Sequence, residues 1–297
     1  MNYTLNQLIV FHKVVKTKSI TKTAQELFMT QPAASIQLKN FQNQFDIPLT
    51  ELRGRKIHIT DFGLEIATIT EQVLDQLNSL DYKTKEHRDI LSGRLKISSA
   101  STGKYVIPYF LSGFLEKFPG IDLILDVTNK SKVIDALKNK EIEFALVSVL
   151  PDNLEVEEVL LLENKLFLVN NRNTLVNKKA YIYREPGSAT RAEMEKYFQK
   201  KKAIGSGQLE LTSNEAVKQA VLAGLGSSIL PLIGIRNELT NKSLNIIEKK
   251  DLPIITYWRL IWLKNRPLSP AGEAYIKYIK THRDEIIKKH FSWYLEY

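Results

Sequence analysis

The segment from Ser19 to Thr60 constrains this chain more than any other. Ala24, Leu27 and Phe28 recur at spacings of three and four, so they define one face of a short helix beginning near Thr21, and that face is expected to be buried. Thr30 is suited to accept a bond from the free amides of a following helix, and Pro32 falls in that helix's first turn, where a missing N–H costs little. A second helix is therefore predicted from about Gln31, with Ala34, Leu38, Phe41 and Phe45 on its inner stripe. Gln31, Ala33, Ser35, Gln37 and Lys39 lie off that stripe, giving a small, polar, basic outer side. Arg53, Arg55 and Lys56 then cluster at a Gly54 turn, and Lys56 to Ile59 alternates like a half-buried strand.

Helix, tight turn, helix and basic hairpin are the parts of a winged helix-turn-helix, and the outer composition is what groove reading requires. Short donors and acceptors meet base edges while cations hold flanking phosphates. Gln31 and Gln37 suit an adenine edge, Ala33 or Ala34 a thymine methyl, and Ser35 and Lys39 phosphate. Thr30 and Pro32 set the start of the reading helix, and Arg53, Arg55 and Lys56 reach backbone or minor groove. Charge is concentrated here: residues 1–60 carry eight cations against three acids, more than half of the whole-chain excess of +9.

With 297 residues and 43% hydrophobic content, the chain can build two or three domains, each with a real core. The absence of cysteine removes disulfides, thiolate metal sites and cysteine nucleophiles. The chain opens on an amphipathic helix (Leu5 to Val15) with no apolar run of signal-peptide type and no stretch of eighteen apolar residues, so a cytoplasmic location without membrane contact is expected. Five dispersed histidines show no metal-ligand spacing, and the serine clusters lack a nearby histidine, so no metal, cofactor or catalytic group is expected.

From Asp61 to about Ile90 apolar residues at Phe62, Ile66, Ile69, Val73, Leu77 and Leu80 predict one long helix, on the order of 45 Å. A stripe of that length needs a partner, and a second copy of the chain is the economical one, the alternative being a helix lying along its own domain. Beyond Ser92 the pattern becomes βαβαβ: strands at Arg94–Ala100, Ile121–Val127 and Phe144–Val149, helices at Val106–Phe118 and Val133–Asn139. A second strand set follows at Leu166–Asn170, Ala180–Arg184, Gly207–Thr212 and Ser227–Leu230, with helices near Arg191–Lys200 and Asn214–Ala223. Trp258–Leu263 and a final helix at Ala271–Lys289 return to the first unit. Two such α/β lobes enclose a cleft suited to a small molecule.

Taken together the chain resembles the LysR-type transcriptional regulators along its entire length. The resemblance is carried by Leu5 to Val15, Ser19 to Leu27, Thr30-Gln-Pro-Ala-Ala-Ser35 and Gly54 to Gly63. Gly187-Ser-Ala-Thr-Arg191, Thr212 to Gly226 and Leu252-Pro-Ile with Trp258 look like the branch of CbbR and CysB/CysL-type regulators. Against the family pattern, Thr50 stands where a phenylalanine is usual before the wing, Gln42 where a glutamate closes the recognition helix, and Ala189 where a second glycine is usual. The resemblance implies an N-terminal winged helix-turn-helix (1–60), a linker and dimerisation helix (61–91) and a periplasmic-binding-protein-like effector domain (92–297). Within that domain, lobe I comprises 92–162 and 267–297 and lobe II 163–266.

Within the expected cleft, Ser99, Ser101, Thr102 and Lys104 follow the first strand and open a helix, and Ser188, Thr190 and Arg191 repeat the arrangement in the second lobe. Thr128 and Asn129 end the second strand and Ser148 the third. Hydroxyls, free amides and cations converging at helix N-termini suit an anion, although Ser99 and Ser148 serve equally well as caps or packing groups. The expected function is a sequence-specific DNA-binding transcriptional regulator, dimeric or tetrameric, that senses a small anionic effector and works with RNA polymerase. The alternative is an α/β small-molecule-binding protein or enzyme with an accessory DNA-binding-like domain.

Overall fold

A computed structural model describes residues 2–54, 56–86, 91–171, 180–200 and 208–297. The chain divides into two compact units, Met1–Ile90 and Leu91–Tyr297. In the first, α1 (Leu5–Thr17), α2 (Ile20–Glu26) and α3 (Gln31–Gln42) are followed by a hairpin, β1 (Thr50–Arg53) and β2 (Lys56–Ile59), and then by α4 (Asp61–Glu86). Ser19 caps α2 by accepting from the Lys22 amide, and Thr30 caps α3 by accepting from the Ala33 amide, with Pro32 in the first turn as expected. Val10, Phe11 and Val14 of α1, Ala24 of α2 and Ala34, Leu38 and Phe41 of α3 meet in one core, closed by Leu49 and Ile57 at the hairpin. Each large side chain buried there contributes roughly 1.5–3 kcal/mol. Gly63 lies so close to the hairpin that a Cβ would run into the Leu49 carbonyl.

Three expectations fail in this unit. α3 ends at Gln42, so Phe45 packs on the core from beyond the helix rather than from its inner stripe. α2 ends at Glu26, before Phe28, in a Schellman arrangement: the Met29 amide donates to the Ala24 carbonyl (3.0 Å) and the Phe28 amide to that of Gln25 (3.3 Å). Phe28 therefore takes the left-handed position (φ 53°), and its ring turns away from the core to stand 98% exposed. Ala34, offered above as a thymine contact, is fully buried and carries the packing instead.

The second unit is built on one sheet. Its elements are β3 (Ser92–Ala100), α5 (Ile107–Lys117), β4 (Gly120–Thr128), α6 (Lys130–Lys138), β5 (Phe144–Val147) and β6 (Val156–Asn171). They continue with β7 (Ala180–Arg184), α7 (Ala189–Lys200), β8 (Gln208–Leu211), α8 (Asn214–Leu222), β9 (Gly226–Pro231) and α9 (Arg236–Thr240). β10 (Leu244–Ile246), β11 (Ile254–Leu263) and α10 (Pro270–His290) complete the unit. Strand order is β4-β3-β5-β11-β6-β9-β7-β8, with β10 on β6. The β3–β4, β3–β5, β7–β8 and β7–β9 pairs are parallel, as the βαβ pattern requires. β11 pairs antiparallel along its length with β6 from Val156 to Leu166, with a register shift between Trp258 and Arg259.

These two strands are far longer than the sequence indicated. Glu157, Glu158, Glu163 and Lys165 interrupt the apolar alternation of β6, while Tyr257 and Thr256 blur the start of β11, yet ladder pairing carries both through. Together they join the two halves of the sheet, and the main core, from Leu95 and Phe110 to Val217 and Leu230, runs through both. Among the described residues no helix is long and apolar enough to cross a membrane.

Candidate functional site

On α3 the capping residue Thr30 and then Gln31, Pro32 and Lys39 are exposed, and Ala33, Ser35 and Gln37 are half-buried. The outer side thus presents the short polar groups and the cation together, and Ile36, unremarked in the sequence, stands 57% exposed among them. In the hairpin Arg53 pairs with Lys56 across the Gly54 turn, where φ is +67° and a side chain would be strained. Arg55 and the side chains of Arg53 and Lys56 lie outside the described residues.

In the second unit the expected effector residues separate into two groups. Ser101, in the turn just after β3, is a meeting point: its hydroxyl accepts from Arg184 Nη1 at 3.2 Å and from Asn214 Nδ2 at 2.9 Å. Arg184 ends β7 and Asn214 opens α8, so the hydroxyl that follows β3 is held by two groups from elements far along the chain. Asn214 Oδ1 is buried without a donor in this orientation. Turning the amide would let the Ser101 hydroxyl donate to it, giving a continuous chain from Arg184 through Ser101 to Asn214. Thr102 is beside them, 4% exposed and facing Asn214 and Lys218 across a small recess.

Other expected residues are committed elsewhere. Ser99 is fully enclosed, its hydroxyl donating to the Ala100 carbonyl (3.1 Å) and lying where a Cβ on Gly103 would fall, so it packs the floor rather than lining the cleft. Lys104 is exposed and lies over the Tyr105 ring, 5.1 Å from its centroid. Thr128 is at the β4 end, paired with Ala100. Asn129 caps α6, accepting from the Lys132 amide (3.1 Å), and donates to Glu185 Oε1 (3.4 Å). Ser148, 7% exposed, follows β5; Ser188 accepts from the Arg191 amide (3.4 Å) as a turn cap, and Thr190 is 8% exposed within α7.

Arg191, expected with Lys104 as a cation for the anion, is engaged by protein groups. Its guanidinium donates to Glu195 (2.7 Å), to Glu210 and to the Arg184 carbonyl (2.8 Å). The bonds to Glu210 and then Glu195 push its pKa above the usual arginine range. The cation that does reach the Ser101 cluster is Arg184, 3% exposed, whose Nε and Nη2 form a two-pronged bond with Glu185 at 2.7 and 2.8 Å. Lys218 is also near, but it is held between Glu238 (2.8 Å) and Glu215 (3.0 Å); although burial opposes its charge, those bonds raise its pKa.

Arg184, Glu185 and Asn214 were therefore missed by sequence reasoning. Their signal was positional: a charge pair at the C-terminal end of a predicted strand, just before Pro186-Gly187, is where a doubly wound sheet gathers ligand groups. Among the described residues no group of three or more His, Cys, Asp or Glu is placed to hold a metal.

Comparison with known proteins matches this division. Residues 5–64 fit the family of bacterial regulatory helix-turn-helix proteins, lysR family, and residues 88–284 fit the LysR substrate binding domain. The HTH-type transcriptional activator CmpR of Synechocystis sp. is 32% identical, covering 96% of this chain and 97% of that protein. A RuBisCO operon transcriptional regulator of Allochromatium vinosum is 30% identical over 94% of this chain and 96% of its own length. Among solved structures, the Synechocystis PCC6803 CcmR regulatory domain in complex with 2-PG is 30% identical, with a TM-score of 0.61, over 65% of this chain and 98% of that one. Full-length CbnR complexed with its target DNA shares the fold at a TM-score of 0.69 and 16% identity, over 94% of this chain and 99% of that one. The expected resemblance is thus shown on its CbbR side, the enzyme alternative falls away, and the chain belongs to the LysR family of DNA-binding transcriptional regulators, with an N-terminal helix-turn-helix and a C-terminal effector-binding domain.

Proposed function

We propose that this regulator binds a small anionic metabolite in the cleft around Ser101 and reads its operator as a dimer, or dimer of dimers, through α3 and the hairpin. The observation that carries the effector reading is the buried Arg184 guanidinium, joined to the Ser101 hydroxyl at 3.2 Å and neighboured by Thr102 and Asn214. The guanidinium is 3% exposed and paired with Glu185, and its remaining nitrogen, Nη1, is turned to Ser101, so a fixed cation stands beside hydroxyl and amide groups of the kind that bind an anion. The complex of the CcmR regulatory domain with 2-PG supports the same choice of ligand class.

For operator reading, Gln31 and Gln37 meet base edges, Ala33 a methyl group, and Lys39, Ser35 and the hairpin cations Arg53, Arg55 and Lys56 the phosphates. Two copies joined through α4 set the half-sites about 34 Å apart. Effector binding shifts the dimer between two arrangements in proportion to its differential affinity for them.

A thermal-shift titration of the full-length protein tests the effector reading, using 2-PG, inorganic phosphate, acetate and neutral sugars. Anions are expected to raise the midpoint with increasing concentration while neutral compounds leave it unchanged. Equal response to both classes, or none, would remove the anion from the reading. Retardation of promoter DNA provides the second arm: Lys39→Ala should weaken binding across sequences and lower the salt dependence, whereas Gln31→Ala should relax sequence preference at a cost of roughly 1–3 kcal/mol.

A further inference from the structure

The Arg184 fork is already filled by its own neighbour in sequence. Glu185 offers both carboxylate oxygens to Nε and Nη2, at 2.7 and 2.8 Å, the geometry in which a free carboxylate or phosphate is held by arginine. The pair is largely withdrawn from water, at 3% exposure for the Arg184 side chain and 14% for that of Glu185. Only Nη1 is turned elsewhere, toward Ser101.

The two partners differ in how firmly they are held. Arg184 is fixed at the end of β7 by the sheet, and its carbonyl is held by Arg191. Glu185 stands outside the strand, at the start of a loop whose next two residues, Pro186 and Gly187, are exposed, with Gly187 at φ +86°. Its remaining side-chain contact is a long bond from Asn129 Nδ2, at 3.4 Å. Arg191 shows the contrast: its carboxylates come from two elements of regular structure, Glu195 on α7 and Glu210 on β8.

We propose that Glu185 is a built-in anion, occupying the Arg184 fork until the oxyanion head of the effector displaces it. This rests on the reading of the cleft as an anion site and adds the group that the anion must replace. The exchange keeps the buried guanidinium paired at every stage, so its large desolvation cost is not incurred again on binding. It also releases Glu185 from Asn129, the N-cap of α6, and so couples occupancy of the fork to the contact between the β7–α7 loop and the first lobe. A carboxylate and a phosphate monoester both satisfy the fork, and the probes separate them.

The test is a calorimetric titration of the full-length protein, wild type and Glu185→Gln, with acetate, inorganic phosphate and 2-PG. Displacement predicts at least tenfold tighter binding of the preferred anion by Glu185→Gln, since the internal competitor has lost its charge. If Glu185 merely positions the guanidinium, the same variant should bind equally well or more weakly, and that result overturns the proposal while leaving the anion cleft intact. Binding by Glu185→Gln where the wild type shows none supports displacement. Absence of binding by both overturns the displacement and the anion reading together. Arg184→Met in the Glu185→Gln background should abolish the gain, with Arg184→Lys, which keeps the charge but not the fork, used if the first variant does not fold. A gain that persists in both would reflect overall charge and would overturn the assignment to Arg184.

Discussion

Gln42, in the last turn of α3, accepts through a single oxygen, Oε1, from both the amide of Thr50 (3.1 Å) and its hydroxyl (2.7 Å). These are the two positions at which the DNA-reading half departs from the family pattern, and they touch. A phenylalanine at 50 would offer only the amide, so the hydroxyl that Thr50 adds is satisfied by the neutral side chain at 42. Gln42→Ala is expected to cost about 1 kcal/mol, and Thr50→Val somewhat less. A double-mutant cycle read by chemical denaturation should give a coupling of roughly 0.5–1.5 kcal/mol, and additive losses would remove the link. Gln42→Glu keeps both bonds and should be tolerated.

Phe28 pays a backbone cost with no packing return. At φ 53° and 98% exposure it occupies the Schellman position ordinarily given to glycine or asparagine. Phe28→Asn should therefore stabilise the first unit by about 0.5–1 kcal/mol, visible as a higher denaturation midpoint with unchanged slope. A destabilised variant would mean that the ring makes a contact beyond those of the folded monomer.

Arg191 and Arg184 should separate cleanly under mutation. The carboxylates that hold Arg191 are 42% and 51% exposed, so screening limits the brace to about 1 kcal/mol or less. Arg191→Ala should lower the melting midpoint slightly, less so at high salt, and leave anion affinity within about twofold. Loss of anion binding in this variant would return Arg191 to the site.

Glu143 gives the second unit a pH dependence. Burial raises its pKa above the ordinary 4.5, outweighing the bonds from the Ser269 amide (2.6 Å) and hydroxyl (2.9 Å). A folded-state pKa above the unfolded one means that the native state holds the proton more tightly. Its contribution is complete below about pH 4.5 and is lost as pH rises through the elevated value. Glu143→Gln should therefore be more stable than wild type at pH 7, with the advantage shrinking toward pH 4.5. Denaturation midpoints across that interval check both the sign and the convergence.

The α4 stripe predicts association. Ile69, Val73, Leu77 and Leu80 remain 38–64% exposed, while Phe62 and Ile66 nearer the start pack into the first core. Val73→Glu with Leu77→Glu should convert a dimer to a monomer by light scattering and weaken retardation of a two-half-site operator far more than it alters the circular dichroism. Unchanged mass would move the interface elsewhere.

Much of this protein was determined by the sequence alone, and local physics explains why. Thr30 as N-cap with Pro32 behind it, the 34/38/41 stripe, the βαβαβ alternation and the long apolar period after Asp61 are all set within a few residues of one another, so they survive without knowledge of the fold. The turn at Phe28 did not, because its spacing fits a helix that capping bonds at Ala24 and Gln25 had already ended. Nor did the lengths of β6 and β11, whose charged interruptions are overridden by cross-strand pairing ninety residues apart in sequence. The cleft shows the same limit most sharply. Sequence could nominate Ser101 and Thr102 and could find cations, but Arg191 and Arg184 are equally charged and seven residues apart. Only tertiary structure decided that one is consumed by Glu195 and Glu210 while the other is buried against Ser101 with a single, loop-borne carboxylate for company.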